Sequence, residues 1–344
     1  MTMTAFEKSS IQTLAAEAAV QPLAERVLED PFVAGNASVE VATVNEGLPV
    51  QTLVVPIFNQ ERIIASTIRA FISRISKPSD VVLIFDGCSD GSRAQAELAL
   101  TSSPTVHIRR VVFITTERPI FETRCDNLGF LVARGETIIE IQADIELLTP
   151  SFDALLTQPM EQNPSIFSVS GRGAHWFGLL KSPEPPNRLS FSGLEWRLFN
   201  RRTVGLCGLE ILNGANVAVG SHYYTAETVM RGPWALNRRA LLRLGLLDEV
   251  NLFLGNDDHD LHARALQVGL RCAYRPVAMS APLENGSTRR ERSGINAAVY
   301  QALKSRPDGS FLRTFLEQYR PLHPCRKVGL TDFWVPAAGV GQSS

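Results

Sequence analysis

The sequence has no apolar run approaching the roughly 20 residues that a membrane-spanning helix needs. Its first residues, Met1 to Glu7, carry neither the basic region nor the apolar stretch of a secretory signal. Cysteine is scarce: Cys88, Cys125, Cys207, Cys272 and Cys325 are scattered, odd in number and never spaced C-x-x-C. That excludes a cysteine zinc site and points to a reduced, cytoplasmic protein. An excess of one charge is missing too. Lys and Arg number 34 against 35 Asp and Glu, a net charge of −1, so nothing electrostatic argues for nucleic acid or an anionic membrane as partner. What is present, 344 residues with 44% hydrophobic and 20% charged side chains, describes a soluble globular protein of one large or two smaller domains.

Residues 1–46 read as a helical preamble. Ile11, Leu14, Ala15 and Ala18, then Leu23, Val27 and Leu28, suggest one or two short helices that pack on the domain or pair subunits into a homo-oligomer. From Leu48 the pattern changes. Leu53-Val54-Val55, ending at Pro56, has the continuous apolar character of a buried parallel strand, and Ile64, Ile68, Phe71, Ile72 and Ile75 follow with a helical period. Pro78 breaks that helix. Val81 to Phe85 is a second strand, Asp86 to Ser92 is turn chemistry, and an Ala- and Leu-rich helix follows. Val111 to Ile114 and Thr137 to Ile141 are a third and fourth strand around a helix from Arg124 to Ala133. This alternation predicts a doubly wound, mainly parallel α/β sheet. Ligands of such sheets bind beyond the carboxyl ends of the strands. Those ends hold Pro56 and Asn59, Asp86, and Asp144, more polar delivery to one edge than packing requires. No G-x-G-x-x-G follows the first strand, which disfavours a Rossmann dehydrogenase.

From Pro150 to Gly232 the periodicity fades. Trp176, Phe177, Phe191, Trp196, Tyr223 and Tyr224 lie there among Arg172, Lys181, Arg188, Arg197, Arg201 and Arg202. The aromatics could stack on sugar faces, but the core of a lid or subdomain is the preferred reading. Arg231-Gly232-Pro233-Trp234 then leads into a short helix ending at Gly245. Next comes the most acid-rich stretch, Gly255-Asn256-Asp257-Asp258-His259-Asp260-Leu261-His262, whose Leu261, Ala265 and Val268 share one helical face. Asp257 and Asp258 therefore sit at a helix N-terminus, where negative charge is favoured. A cap needs one acid, and crowded carboxylates with spread pKa values suit a general base or a cation site. His259 and His262 are three apart, and a helix presents metal ligands better at four. A helical run from Ile295 to Leu303 and a loose tail from Pro336 to Ser344 close the chain.

Four segments in this order resemble the family 2 glycosyltransferases of the GT-A fold. Val54-Val55-Pro56-Ile57-Phe58-Asn59-Gln60-Glu61 resembles that family's V-P-x-Y-N-E, and Phe85-Asp86-Gly87-Cys88-Ser89-Asp90-Gly91-Ser92 its D-D-G-S-x-D-G-T, with Phe85 in place of the first acid. Arg124-Cys125-Asp126-Asn127-Leu128-Gly129, Ala133-Arg134-Gly135-Glu136 and Gln142-Ala143-Asp144 resemble R-N-x-G, A-x-G-E and D-x-D. Gly245-Leu246-Leu247-Asp248-Glu249 and the Asp257-Asp258 stretch resemble G-x-F-D-E and E-D-x-D-L-x-x-R. The resemblance covers residues 49–284. It implies a GT-A domain over 47–284, with a nucleotide-binding half at 47–150, an acceptor-binding and catalytic half at 151–284, and a C-terminal extension at 285–344. It also implies inverting transfer of a sugar from a nucleotide-diphosphate sugar to a saccharide or glycoconjugate hydroxyl, as in polysaccharide synthesis. Pro56, Phe58, Asn59, Glu61, Asp86, Arg124, Asn127 and Ala143 would contact the nucleotide, with Asp86 on a surface turn at the base. Asp144, with Glu146, would hold Mn2+ or Mg2+. Asp258 would be the general base, and Gly232, Pro233, Trp234 and Asp257 would meet the donor or acceptor sugar.

Two departures stand out. Gln142 replaces the first acid of D-x-D, which removes one carboxylate ligand. The Q-x-x-R-W motif of processive synthases is absent after Glu284. A sugar-phosphate nucleotidyltransferase would want a glycine-rich, basic loop after the first strand, and Pro56 to Arg62 has no glycine. A non-catalytic glycan or nucleotide binder is the remaining alternative, against which Asp86, Asp144 and Asp258 weigh.

Overall fold

Ahead of the first expected strand, the preamble already joins the sheet. Strand β1 (Glu7–Ser9) precedes the two expected helices, α1 (Ile11–Glu17) and α2 (Gln21–Leu28), and strand β2 (Ala37–Thr43) follows them. Neither strand was expected, because β1 is three polar residues and β2, Ala-Ser-Val-Glu-Val-Ala-Thr, buries little beyond Val39 and Ala42. The computed structural model describes residues 3–18, 20–175, 206–207, 223–226, 228–249 and 257–280. The expected helix at 295–303, the tail, Trp176, Phe177, Phe191, Trp196, Lys181, Arg188, Arg197, Arg201, Arg202 and the residues 252–256 ahead of the acidic stretch lie outside the described residues.

The next elements follow the expected alternation: β3 (Gln51–Ile57), α3 (Ile64–Ile72), β4 (Ser79–Asp86), α4 (Ser92–Ser102), β5 (Ile108–Thr116), α5 (Glu122–Val132) and β6 (Thr137–Glu140). Then come β7 (Glu146–Leu147), α6 (Phe152–Gln162), β8 (Ile166–Ser170), β9 (Ala174–His175), β10 (Leu206–Cys207), β11 (Tyr224–Ala226), β12 (Thr228–Val229) and β13 (Trp234–Asn237). Helices α7 (Arg238–Leu244) and α8 (Asp257–Gln267) and strands β14 (Arg271–Tyr274) and β15 (Met279–Ser280) complete the described elements. Ten strands form one sheet in the order β1-β2-β5-β4-β3-β6-β13-β8-β14-β11. Its centre, β5-β4-β3-β6, is parallel, as is the β8–β14 pair, while β2 and β13 run antiparallel to their neighbours.

The chain moves from β3 through β4 to β5 on one side, then returns to the other side of β3 for β6. That reversal opens a crevice at the carboxyl ends of β3 and β6, the place where doubly wound sheets take ligands. The central strands carry apolar residues on both faces because helices cover both; Leu53, Val54, Val55, Val81, Val82 and Leu83 are wholly buried. Helix α5 lies against β3 so closely that a Cβ on Gly129 would stand 2.3 Å from Val54 Cγ1. No helix among the described residues is long and apolar enough to cross a membrane.

The preamble is also tied to α5 by charge. Arg124 donates from Nε to Asp30 Oδ2 at 2.9 Å, and its guanidinium lies 4.4 Å from the centre of the Phe32 ring. Both partners are buried. Removing one member of a buried ion pair typically costs ~3–5 kcal/mol, because the other charge loses its counterpart in a poorly solvating place. Asp30→Ala should therefore lower the free energy of unfolding by about that amount in urea titration. A loss below about 1 kcal/mol would mean that Arg124 does not depend on the preamble.

Candidate active site

The loops after β3 and β4 are built as one unit. Asn59, held at a positive φ of 50°, accepts the backbone N–H of Ser89 at 2.9 Å. Glu61 accepts the N–H of Gly91 at 3.2 Å, while its own N–H donates to Asp90 Oδ2 at 3.0 Å. Ser92 Oγ takes the N–H of Gln60 at 2.7 Å. Pro56 at the end of β3 is half-buried and Phe58 is buried beneath this cross-linked rim. Burial pushes the neighbouring Cys88 thiol up to about 11, so it stays protonated and unreactive at neutral pH.

Asp86 does not sit on the surface. It is wholly buried, and its carboxylate accepts the N–H groups of Ile120 at 2.6 Å and Phe121 at 3.2 Å. A β4 strand with every residue buried carries its last side chain inward, where the acid pins the 117–121 segment that leads into α5. Two other motif residues also hold chain to chain. Arg124 grips the preamble, and Asn127 donates to Leu247 O at 2.9 Å and Glu249 Oε2 at 2.7 Å while accepting the Leu247 N–H at 3.1 Å.

Beyond β6, Ala143 is buried and its carbonyl accepts Thr67 Oγ1 at 3.0 Å, whereas Asp144 and Glu146 are half-buried. Gln142 Oε1 accepts from Arg172 Nη1 at 2.6 Å, and its amide nitrogen faces Glu122 Oε1 at 3.4 Å. The amide oxygen is thus taken by a guanidinium and offers nothing to a metal. Asp144 and Glu146 are hard oxygen donors of the kind that would suit Mn2+ or Mg2+. Among the described residues no group of three or more His, Cys, Asp and Glu is assembled to hold a metal ion.

The other half of the site centres on Arg231, which the sequence reading passed over. Its Nη1 bonds Asp126 Oδ2 at 2.6 Å and lies 3.4 Å from Glu122 Oε1, and its Nη2 pairs with Asp257 Oδ2. Glu140, wholly buried at the end of β6, accepts the N–H of Gly232 at 2.9 Å. Gly232 has φ +59°, and a Cβ there would stand 2.5 Å from Gln142 Cγ, so only glycine fits. Gly232, Pro233 and Trp234 were expected against a sugar, yet all three are buried. Trp234 cannot stack on a sugar here, because β13 lies inside the sheet and its indole N–H is bound by Ser168 Oγ at 2.6 Å. His262 completes this inner network, with Nε2 2.8 Å from Ser168 Oγ and Nδ1 3.1 Å from Thr228 Oγ1. Asp257 is buried, and Asp258 beside it is half-buried. A signal for the cluster was present in the sequence: Glu140 is an acid placed in an otherwise apolar run, Ile138-Ile139-Glu140-Ile141.

One guanidinium cannot neutralise three buried carboxylates, Asp126, Glu140 and Asp257, with the partly exposed Glu122 beside them. Burial raises Asp126 well above the usual carboxylate range despite Arg231, and it raises Glu140 to about 8 and Asp257 to about 6. Burial alone would depress Arg231, but Asp257, Asp126, Glu122 and Glu140 outweigh it and hold the guanidinium firmly charged.

No protein-family model matches the chain, and no curated protein matches it. Among solved structures it is similar to GalNAc-T7, crystallised with UDP, GalNAc and Mn2+, at TM-score 0.50 and 17% identity over 80% of this chain and 55% of that one. It is also similar to the mannosyltransferase PcManGT from Pyrobaculum calidifontis in complex with GDP-Man and Mn2+, at TM-score 0.49 and 15% identity over 90% and 80% of the two chains. S. aureus TarS 1-349 aligns at TM-score 0.40 and 12% identity over 68% and 58%. The chain spans only about half the length of the GalNAc-T7 structure. The likeness is one of fold: a mixed, mostly parallel Rossmann-like sheet flanked by helices, of the GT-A type.

The cluster makes a pH prediction. Glu140 has a folded pKa above its ordinary value of 4.5, so its contribution to stability is full below that value and is lost as pH rises through about 8. Each unit of such a shift is worth about 1.4 kcal/mol. Glu140→Gln keeps the acceptor for Gly232 and never ionises. The parent melting temperature should fall from pH 5 to pH 9 by on the order of 5 °C more than that of the variant. Parallel curves for the two proteins would show that Glu140 is already ionised at pH 5.

Proposed function

We propose that the chain is an inverting glycosyltransferase that moves a sugar from a nucleotide-diphosphate sugar to a hydroxyl of a saccharide or glycoconjugate acceptor. The observation that carries this reading is the meeting of four distant segments at one sheet edge. Residues 122–126, 140–142, 231–232 and 257–258 come together there, with Asp258 half-buried beside a buried charge network. Packing alone gives no reason to assemble so many acids.

On this reading the cross-linked rim of Asn59, Glu61 and the 86–92 turn cradles the nucleotide, and Asp86 acts by holding that rim's neighbour in place. Asp144 and Glu146 hold a divalent cation, which supplies charge neutralisation at the departing diphosphate. The GalNAc-T7 structure that shares the fold contains UDP and Mn2+, and the proposal extends those ligand classes to this chain. Asp258 takes the proton of the acceptor hydroxyl. The oxygen forms its bond to the anomeric carbon as the bond from that carbon to the diphosphate oxygen breaks on the opposite face. The nucleoside diphosphate leaves with the electron pair, and the configuration inverts.

Asp258→Asn preserves shape and cannot accept the proton. General-base assistance is typically worth ~10²–10⁴-fold, so sugar transfer should fall by that range. Nucleotide affinity, read by thermal shift with nucleoside diphosphates and Mn2+, should stay within about 2-fold of the parent, since a ligand bound only by the folded state raises apparent stability. A variant that transfers sugar at the parent rate removes Asp258 from the chemistry. A parent that binds sugar nucleotide and turns over with no acceptor is a binder and not an enzyme.

A further inference from the structure

Helix α8 is gripped on both sides of Asp258. On one side stands Asp257, 2% exposed, whose Oδ2 accepts the hydroxyl of Thr123 at 2.6 Å and pairs with Arg231 Nη2. Its Oδ1 accepts the backbone N–H of Asp258 itself at 3.0 Å. One carboxylate thus joins α5, the segment ahead of β13 and the residue that carries the acid at the rim. On the other side, about one turn further along the helix, His262 is 1% exposed and bonds Ser168 and Thr228. Ser168 also fixes the indole of Trp234, whose ring centre lies 5.8 Å from the Arg231 guanidinium carbon. The contacts close into a loop: Asp257, Arg231, Trp234, Ser168, His262, and back along α8.

Arg231 is held in turn. Asp126 and Glu122 on α5 take its Nη1. The guanidinium therefore has no freedom to swing toward a ligand. Both oxygens of Asp257 are occupied as well, and it is buried where Asp258 is half-buried, so of the two adjacent acids Asp257 is the one suited to hold. From this geometry we propose that Arg231 and Thr123 are positioning residues for the reacting carboxylate: acting through Asp257, they set the first turn of α8 so that Asp258 is presented to the acceptor hydroxyl. This inference rests on the reading of Asp258 as the base.

The clamp works only while Asp257 is ionised. The charges facing it are Arg231 ahead of β13, Glu122 and Asp126 on α5, Glu140 on β6, and Asp258 on α8. Burial lifts its carboxyl, Arg231 pulls it down, Asp258 and Glu122 lift it and the Thr123 hydroxyl lowers it, which together leave it raised to about 6. Activity should accordingly fall as pH drops through about 6. Taking away the Thr123 hydroxyl raises the Asp257 pKa and moves that fall to higher pH. A residue that merely packs would leave the pH profile where it was.

The test is Thr123→Val, which keeps the shape of the side chain and deletes one hydrogen bond, beside Thr123→Ser, which restores the hydroxyl, and Arg231→Lys, which keeps the charge. A small displacement of a reacting group costs on the order of 10²-fold. For Thr123→Val we expect kcat for sugar transfer at pH 7 to fall ~10–100-fold, KM for the sugar nucleotide to stay within about 3-fold, and the acid limb to shift to higher pH. Thr123→Ser should recover most of the rate, and Arg231→Lys should lie between parent and Thr123→Val. The decisive arm combines Thr123→Val with Asp258→Asn. If Thr123 acts through Asp258, the double variant is no slower than Asp258→Asn alone. An equal loss from Thr123→Val in both backgrounds, an unmoved acid limb, or a fall in kcat matched by lost nucleotide binding overturns the proposal. So does a Thr123→Val protein that does not fold while Thr123→Ser is no better. Should Asp258→Asn alone keep the parent rate, the base assignment itself fails, and that result is read independently of the Thr123 variants.

Discussion

The buried guanidinium of Arg231 is the constraint on which the site half of the molecule depends. Three elements reach it with four acids: Glu122 and Asp126 from one face of α5, Glu140 from the end of β6, and Asp257 from the start of α8. A single buried positive charge draws these segments together, because without it the buried acids would have lost their shared counter-ion. The arrangement still carries more acid than it can balance. Burial answers the surplus by raising Glu140 to about 8 and Asp126 well above the usual carboxylate range, and each keeps one oxygen without a hydrogen-bond partner among the described residues. Such a network costs stability to assemble, and its tolerance is characteristic of sites whose geometry matters more than their contribution to folding.

Much of the fold was legible because it rests on simple periodicities. The apolar runs that end at Pro56, Phe85 and Ile114 can only be strands buried on both faces, and the intervening 3.6-residue pattern of Ile64, Ile68 and Phe71 can only be a helix lying on them. The preamble strands were not legible for a matching reason. Strand β1 pairs at the sheet edge with no apolar face of its own, and β2 earns its place through backbone pairing with β5 over seven residues, from Ala37 opposite Thr116 to Thr43 opposite Arg110. Backbone hydrogen bonding leaves no mark on side-chain pattern. The antiparallel insertion of β13 between β6 and β8 was hidden likewise, since Trp-Ala-Leu-Asn is too short to show a period.

The candidate site was legible in its positions and less so in its roles. Motif residues divide by direction. Asn59, Glu61, Asp144, Glu146 and Asp258 stand at or near the edge of the sheet, partly in reach of solvent. Asp86, Arg124, Asn127 and Trp234 point inward and tie loops, preamble and helices together. A sequence motif records that a residue type is needed at a place, and a buried acid holding two backbone N–H groups is needed as much as one touching a ligand. Direction depends on which neighbour fills the space, and for Asp86 that neighbour, the 117–121 segment, lies some 30 residues further along the chain. Arg231 illustrates the converse. An arginine before Gly-Pro carries no pattern of its own, and its importance arises only when α5, β6 and α8 fold around it.

The same surplus of acid bears on the donor that the proposed reaction requires. Two like unit charges about 5 Å apart repel by roughly 3 kcal/mol at the effective dielectric of a protein surface. A diphosphate approaching an edge that carries Asp144, Glu146 and Asp258 would meet that repulsion several times over. Arg231 cannot relieve it, because its guanidinium is enclosed by Asp126, Asp257 and Glu122. Among the described residues, Arg172 reaches the edge through Gln142. Protonating the buried acids reduces the field from beneath without supplying an attractive partner. On the proposed reading, a small, hard cation arriving with the donor would offset that repulsion. With Gln142 in place of the first motif acid and Arg172 bound to its amide oxygen, the edge carries one carboxylate fewer than the motif would give it, and less repulsion for a diphosphate to overcome.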